Sequence, residues 1–184
     1  PTLMNSTQGA QYKAAYKKAL SAISQGVTLN VALDGASFAD SVAGTAGSTA
    51  TANSVANILN ARMNVVRAAL GNADTAYTMS GTGAPTKVAT NTALFFNDGV
   101  TFTFPNSSAA CTSDPDNSGA TRNICKGFID VNGQKGPNKI VACDSSTSGD
   151  SCKVSSPTDI YPVKFYDQTI LPNSPAARAV LYGK

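Results

Sequence analysis

Tyr12, Tyr16, Leu20, Ile23 and Val27 stand three or four residues apart, so a helix would align them in one stripe with Lys13, Lys17 and Lys18 turned off it. That spacing predicts a helix over residues 3–33 whose apolar face needs a cover. Asp34-Gly35 supplies a stop. Gly26, inside the pattern, costs about 1 kcal/mol relative to alanine and predicts a bend or an early end. After residue 93 the period changes. Leu94-Phe95-Phe96 and Val100-Thr101-Phe102-Thr103-Phe104 flank Asn97-Asp98-Gly99, which predicts a hairpin with Val100, Phe102 and Phe104 on one face and Pro105 at its end. Lys126–Val131 and Lys139–Cys143 read as strands about an Asn132-Gly133 turn, and Tyr161–Tyr166 and Ala179–Tyr182 as two more near the end. A helix first and antiparallel strands after it predict an α+β fold, and 184 residues predict one domain.

Between helix and sheet, residues 34–53 and 73–92 are rich in Ala, Gly, Ser and Thr and predict exposed connections. Val55, Ile58, Leu59, Met63, Val66 and Leu70 keep helical spacing and predict a second helix over about 51–70, closed by Gly71-Asn72. The expected plan is a helix at 1–33, a connection at 34–92 that holds the second helix, and a sheet with disulfide loops at 93–184.

Histidine is absent and all 11 acidic residues are aspartate. The usual base of a nucleophilic triad and the commonest zinc ligand are therefore missing, and no enzyme activity or catalytic residue is expected. Cys111, Cys125, Cys143 and Cys152 stand in polar surroundings without any C-x-x-C pair, which favours two disulfides and an oxidising compartment over zinc. Three pairings are open; the sequential one, Cys111–Cys125 and Cys143–Cys152, closes the shortest loops. No run of about 18 apolar residues and no signal peptide at Pro1 occurs, yet disulfides require export, so an export signal is expected to have been removed or to lie upstream of Pro1.

Two segments offer oxygen ligands to calcium. Asp114, Asp116 and Ser118 alternate like the start of a calcium loop, but position twelve is Cys125 where a glutamate belongs, and an ordinary Asp/Pro/Gly turn is favoured. Asp130, Asn132 and Asn138 are the second set, against a turn in which Asn132-Gly133 take positive φ and Pro137 fixes the exit. Arg122, Lys126, Lys135 and Lys139, with Lys153 and Lys164, could form a basic stripe for nucleic acid. A net charge of only +3 and few interleaved aromatics favour solvated surface lysines. Of Tyr12, Tyr16, Tyr161, Tyr166 and Tyr182, most are expected in the core with the hydroxyl at its edge.

The stretch Gly127-Phe128-Ile129-Asp130-Val131-Asn132-Gly133-Gln134-Lys135-Gly136-Pro137-Asn138-Lys139 resembles a pattern of bacterial type IV pilins and pseudopilins, in which a strand ends in Asp-x-Asn-Gly and continues to Gly-Pro-Asn. The opening Pro1-Thr2-Leu3-Met4-Asn5, continued by Tyr12-Lys13-Ala14-Ala15-Tyr16-Lys17-Lys18-Ala19-Leu20-Ser21, is similar to the region just beyond the apolar half of a pilin's first helix. The resemblance covers about residues 1–33 and, more loosely, 93–184. It implies a ladle, a long helix packed on an antiparallel sheet with a disulfide-stapled C-terminal region. It also implies a methylated first residue and an apolar half-helix, both upstream of Pro1, that anchor the subunit in the inner membrane with a periplasmic head before assembly. The implied partners are other pilin subunits in an extracellular filament on a bacterial surface. The alternative is a minor pilin or pseudopilin acting as a binding module for DNA uptake, adhesion to a host surface or protein secretion. Pseudopilin relatives that bind calcium in their C-terminal region make calcium the one cofactor to consider.

Overall fold

The computed structural model describes residues 2–38, 42–44, 55–70, 77–78, 86–87, 91–105, 107–112, 114–116, 125–133, 139–144 and 152–182. The expected stripe forms one unbroken helix, α1 (Thr2–Asp34), about 50 Å long at 1.5 Å per residue. Tyr16, Leu20, Ile23 and Val27 are buried along it, and Tyr12 is half-buried. Gly35, at φ 73°, closes the helix by donating its N–H to Val31 O at 3.0 Å, so the Asp34-Gly35 stop is in place. Gly26 neither bends nor ends α1. It is buried where the next helix crosses, and a Cβ there would lie 3.3 Å from Met63 Cγ.

That second helix, α2 (Val55–Arg62), buries Val55 and Leu59 in one core with α1, buries Ile58 as well, and is shorter than expected. At Met63-Asn64 the chain leaves the helix and becomes a strand, β2 (Val65–Leu70), so Val66 and Leu70 belong to a sheet edge and not to a helical stripe. The β-branched pair Val65-Val66 favours extended backbone. The ladder starts where Asn97 N donates to Asn64 O at 3.0 Å. Residues 51–54 and the Gly71-Asn72 stop lie outside the described residues.

In chain order the other strands are β1 (Val42–Gly44), β3 (Tyr77–Thr78), β4 (Thr86–Lys87), β5 (Asn91–Phe96), β6 (Thr101–Pro105), β7 (Ser107–Ala110), β8 (Lys126–Asp130), β9 (Ile160–Tyr166) and β10 (Thr169–Pro172), followed by helix α3 (Pro175–Tyr182). Six of them make one antiparallel sheet in the order β10-β9-β8-β6-β5-β2, while β1–β7 and β3–β4 pair separately. The fold is thus α+β, with a long N-terminal helix on an antiparallel sheet. The β5–β6 hairpin has the expected turn: Gly99 takes φ 89° and donates to Phe96 O at 3.1 Å, while Asp98 Oδ1 accepts Val100 N at 3.2 Å.

Leu94, Phe96, Phe102, Phe104, Ile129, Tyr161, Val163 and Phe165 form the sheet face under α1. Tyr16 stacks on Tyr161 with ring centroids 4.0 Å apart and planes 6° from parallel. The Tyr161 hydroxyl donates to Thr158 O at 3.0 Å, whereas the Tyr16 hydroxyl is buried with no hydrogen-bond partner among the described residues. Tyr16→Phe is therefore expected to keep the stack and raise stability by about 0.5–1 kcal/mol in a denaturant titration. A loss of stability would show that the hydroxyl is bonded.

Two expected strands take other forms. Ala179–Tyr182 is part of α3, which Ser174 caps by accepting Ala177 N at 3.0 Å on Oγ and Pro175 opens at its first turn. Lys139–Cys143 contributes only a bridge, Ile140 beside Ile160, because β10 already occupies the rest of that edge of β9.

Candidate functional site

Cys111–Cys125 and Cys143–Cys152 are disulfides, with Cα–Cα distances of 5.9 and 5.2 Å, so the sequential pairing is the one formed. Cys111 is tied into the fold by backbone as well: its N–H donates to Phe38 O at 3.1 Å and its carbonyl accepts Asp167 N at 2.8 Å. Cys125 takes φ 58° and accepts Phe165 N at 3.0 Å, which starts β8 beside β9. Just beyond the second disulfide the chain meets the first half of α1, where Lys13 Nζ donates to Val154 O. Asp144 accepts Ser155 N at 3.0 Å and Ser155 Oγ at 2.8 Å, and those bonds hold its carboxyl below the usual range.

Asp114 and Asp116 lie in the first disulfide loop, joined by an Asx turn in which Asp116 N donates to Asp114 Oδ1 at 3.0 Å. They face Lys126 and Lys164, which stand directly opposite each other on β8 and β9. Two like charges in that register repel. The aspartates offset this: Lys164 Nζ lies 3.0 Å from Asp114 and from Asp116, and Lys126 Nζ lies 2.8 Å from Asp116. Bonds from Lys126 and then Lys164 hold the Asp116 carboxyl below its ordinary value. Burial works against the Lys164 charge, but its bonds to Asp114 and Asp116 prevail and raise its pKa.

Among the described residues, two acids and two bases thus make a charge-balanced cluster. The carboxylates read as the start of a calcium loop are engaged by ammonium groups, and Lys126 of the basic stripe is engaged by Asp116. Lys139 and Lys153 are exposed, while Ser118, Arg122 and Lys135 lie outside the described residues.

The second candidate set divides differently. Asp130 ends β8 fully buried, its Oδ1 accepts Asn132 N at 2.8 Å, and its Oδ2 has no hydrogen-bond partner among the described residues. Burial pushes its pKa up to about 8; the Asn132 bond opposes this, and the neighbouring Asp159 adds to it. Asp159, also fully buried, accepts Lys139 N at 2.9 Å. Gly133 takes φ 64°, as expected, but Asn132 does not share the left-handed backbone. Asn138 and Pro137 lie outside the described residues. Among the described residues no group of three or more His, Cys, Asp or Glu side chains converges as a metal site.

Asp159 and the partnership of Lys164 with Asp114 escape the sequence reading, because both depend on strand register. Of the tyrosines, Tyr16 and Tyr161 are core residues, Tyr12 and Tyr166 are half-buried, and Tyr182 is 69% exposed. Comparison with protein-family models, with curated proteins and with solved structures finds no match for this chain.

Proposed function

We propose that the chain is a structural subunit of a type IV pilus or a related extracellular filament, joined to its neighbours through an apolar helical segment preceding Pro1. The observation that carries this reading is the length of α1. Its roughly 50 Å far exceeds the roughly 23 Å of β9, the longest strand of the sheet at 7 residues. The rest of the helix packs on other parts of the head, Gly9 facing Ser155 and Pro157 and Gly26 facing Met63, so one helix serves the whole head, as a stem that carries heads along a fibre must.

The low charge of 14% Asp, Glu, Lys and Arg suits surfaces that pack against copies of themselves. Each disulfide contributes typically about 2–4 kcal/mol to a head that works outside the cell. In the alternative, a minor subunit that captures DNA, Lys126 would be needed at the interface, and its engagement by Asp116 weighs against that version.

Immunogold electron microscopy of producing cells, and of cells deleted for the gene, tests the proposal. Filaments labelled along their length in the first and lost in the second are expected. Undiminished, unlabelled filaments in both would sink it.

A further inference from the structure

A cavity of about 340 Å³ opens between the second half of α1, the end of α2 and the β5–β6 turn. Its floor is apolar, made by Ile23, Met63, Phe96 and Val100, and exposed Leu29 and Asp98 stand at its rim. Arg62 on its wall is committed to Asp34 and to Asn30, so the charge the rim offers is that of Asp98, which has no ion pair among the described residues.

The other unpartnered surface is on α3. That helix turns Ala176, Ala177 and Val180 inward and leaves Pro175, Arg178 and Tyr182 exposed, at positions i, i+3 and i+7 of one face. Arg178 makes no ion pair among the described residues, and residues 173–184 contain Arg178 and Lys184 but no acid.

We propose that the cavity receives the exposed face of α3 from a second copy of the chain, with Tyr182 over the apolar floor and Arg178 paired to Asp98; the proposal rests on the filament reading and names a contact between heads within it. Three observations carry it. The two surfaces complement each other in charge and in polarity, an aromatic ring and a cation against an apolar floor and a carboxylate. Tyrosine and arginine are the side chains that most often dominate interfaces. The exposed face of α3 is also the one opposite Ala176, Ala177 and Val180, which are held in the core, so it is turned out of its own head and away from that head's cavity. One copy therefore cannot satisfy both, and a contact between unlike surfaces adds copies in an open series, which is what a filament needs.

The test is sedimentation velocity of the full chain across concentrations at low salt, with far-UV circular dichroism to confirm folding. Asp98→Asn keeps the acceptor for Val100 N and removes only the charge. Asp98→Asn and Arg178→Asp are each expected to weaken self-association roughly tenfold or more, and the pair Asp98→Arg with Arg178→Asp to restore most of it. A wild-type chain that stays monomeric at every concentration, single variants that associate like wild type, or a double variant as weak as the singles would overturn the contact. Immunogold microscopy separates the two readings. Labelled filaments that persist unchanged with Arg178→Asp refute this contact alone, whereas wild-type cells without labelled filaments refute the filament.

Discussion

Asp130→Asn is expected to stabilise the protein at pH 8 by several kcal/mol and to change little at pH 4. The carboxyl has a folded pKa of about 8 against an ordinary 3.8, and its first cause is burial. Between those values the folded chain keeps a proton that the unfolded chain has released, so stability falls as pH rises. It is full below about pH 4 and levels off above about pH 8. A gap of about four units sets a ceiling of about 6 kcal/mol, reduced by whatever relaxation admits water. Asparagine keeps the oxygen that accepts Asn132 N and carries no charge to bury. Urea titrations from pH 4 to pH 8 should show wild-type stability declining across the range and the variant flat.

The same experiment decides what neutralises Asp130. If a calcium ion held the carboxylate, the local sign would invert. Stability would then rise with pH, fall on adding a chelator, and fall again with Asp130→Asn. The sequence pattern places Asp130 in the strand Lys126–Val131, with Asn132 and Asn138 as possible co-ligands after it; the structure ends β8 on Asp130 and buries it beside Asp159. With a folded pKa of about 8, the carboxyl without a metal is mostly protonated at neutral pH, and a calcium ion would have to displace that proton.

The parts of the fold legible in the sequence are those where one period dominates. The α1 stripe spans three turns without interruption from Tyr16 to Val27, and Val100, Phe102 and Phe104 alternate beside an Asp-Gly turn. Legibility fails where two periods fit the same residues. Val55, Ile58, Leu59, Met63, Val66 and Leu70 satisfy helical spacing, yet the ladder offered by β5 claims everything after Asn64. Ala179-Val180-Leu181-Tyr182 looks like a strand by composition, although the Ser174-Pro175 cap ahead of it was a readable helix start. Strand β10 was hidden because its turn rests on Asp167 at φ 51°, a conformation that a non-glycine residue seldom announces.

Among the site residues, the spacing of Asp114 and Asp116 was visible and their partners were not. Lys126 and Lys164 are 38 positions apart and meet only because β8 and β9 pair in that register. The cavity escaped for a similar reason: Gly26 lines it beside Met63, yet along the chain that glycine reads only as a weak point in a helix.

Gly127→Ala is expected to be the most damaging single methyl in the sheet. A Cβ at position 127 would sit 2.2 Å from the Thr103 carbonyl oxygen, 3.0 Å from Phe104 Cβ and 3.2 Å from Phe102 Cε1. The nearest of these is backbone in a strand buried on both faces, where Thr101, Phe102, Thr103 and Phe104 are each at most 1% exposed, so no flexible side chain can yield. Overpacking of this kind costs typically about 1–3 kcal/mol and more when backbone must move. Taking about 3 kcal/mol, the melting temperature should fall by roughly 6–12 °C for a chain of this size. The same substitution elsewhere separates packing from any general effect of alanine. At Gly9 the new Cβ meets nothing closer than 3.8 Å and alanine favours the helix by about 1 kcal/mol, so stability should rise. At Gly26 it meets the flexible Met63 side chain at 3.3 Å, and the helix gain and the crowding should nearly cancel. Thermal melts ranking Gly9→Ala above Gly26→Ala above Gly127→Ala support the packing of α1 and β8 described above. A Gly127→Ala protein as stable as wild type would mean that β6 and β8 do not meet at that register.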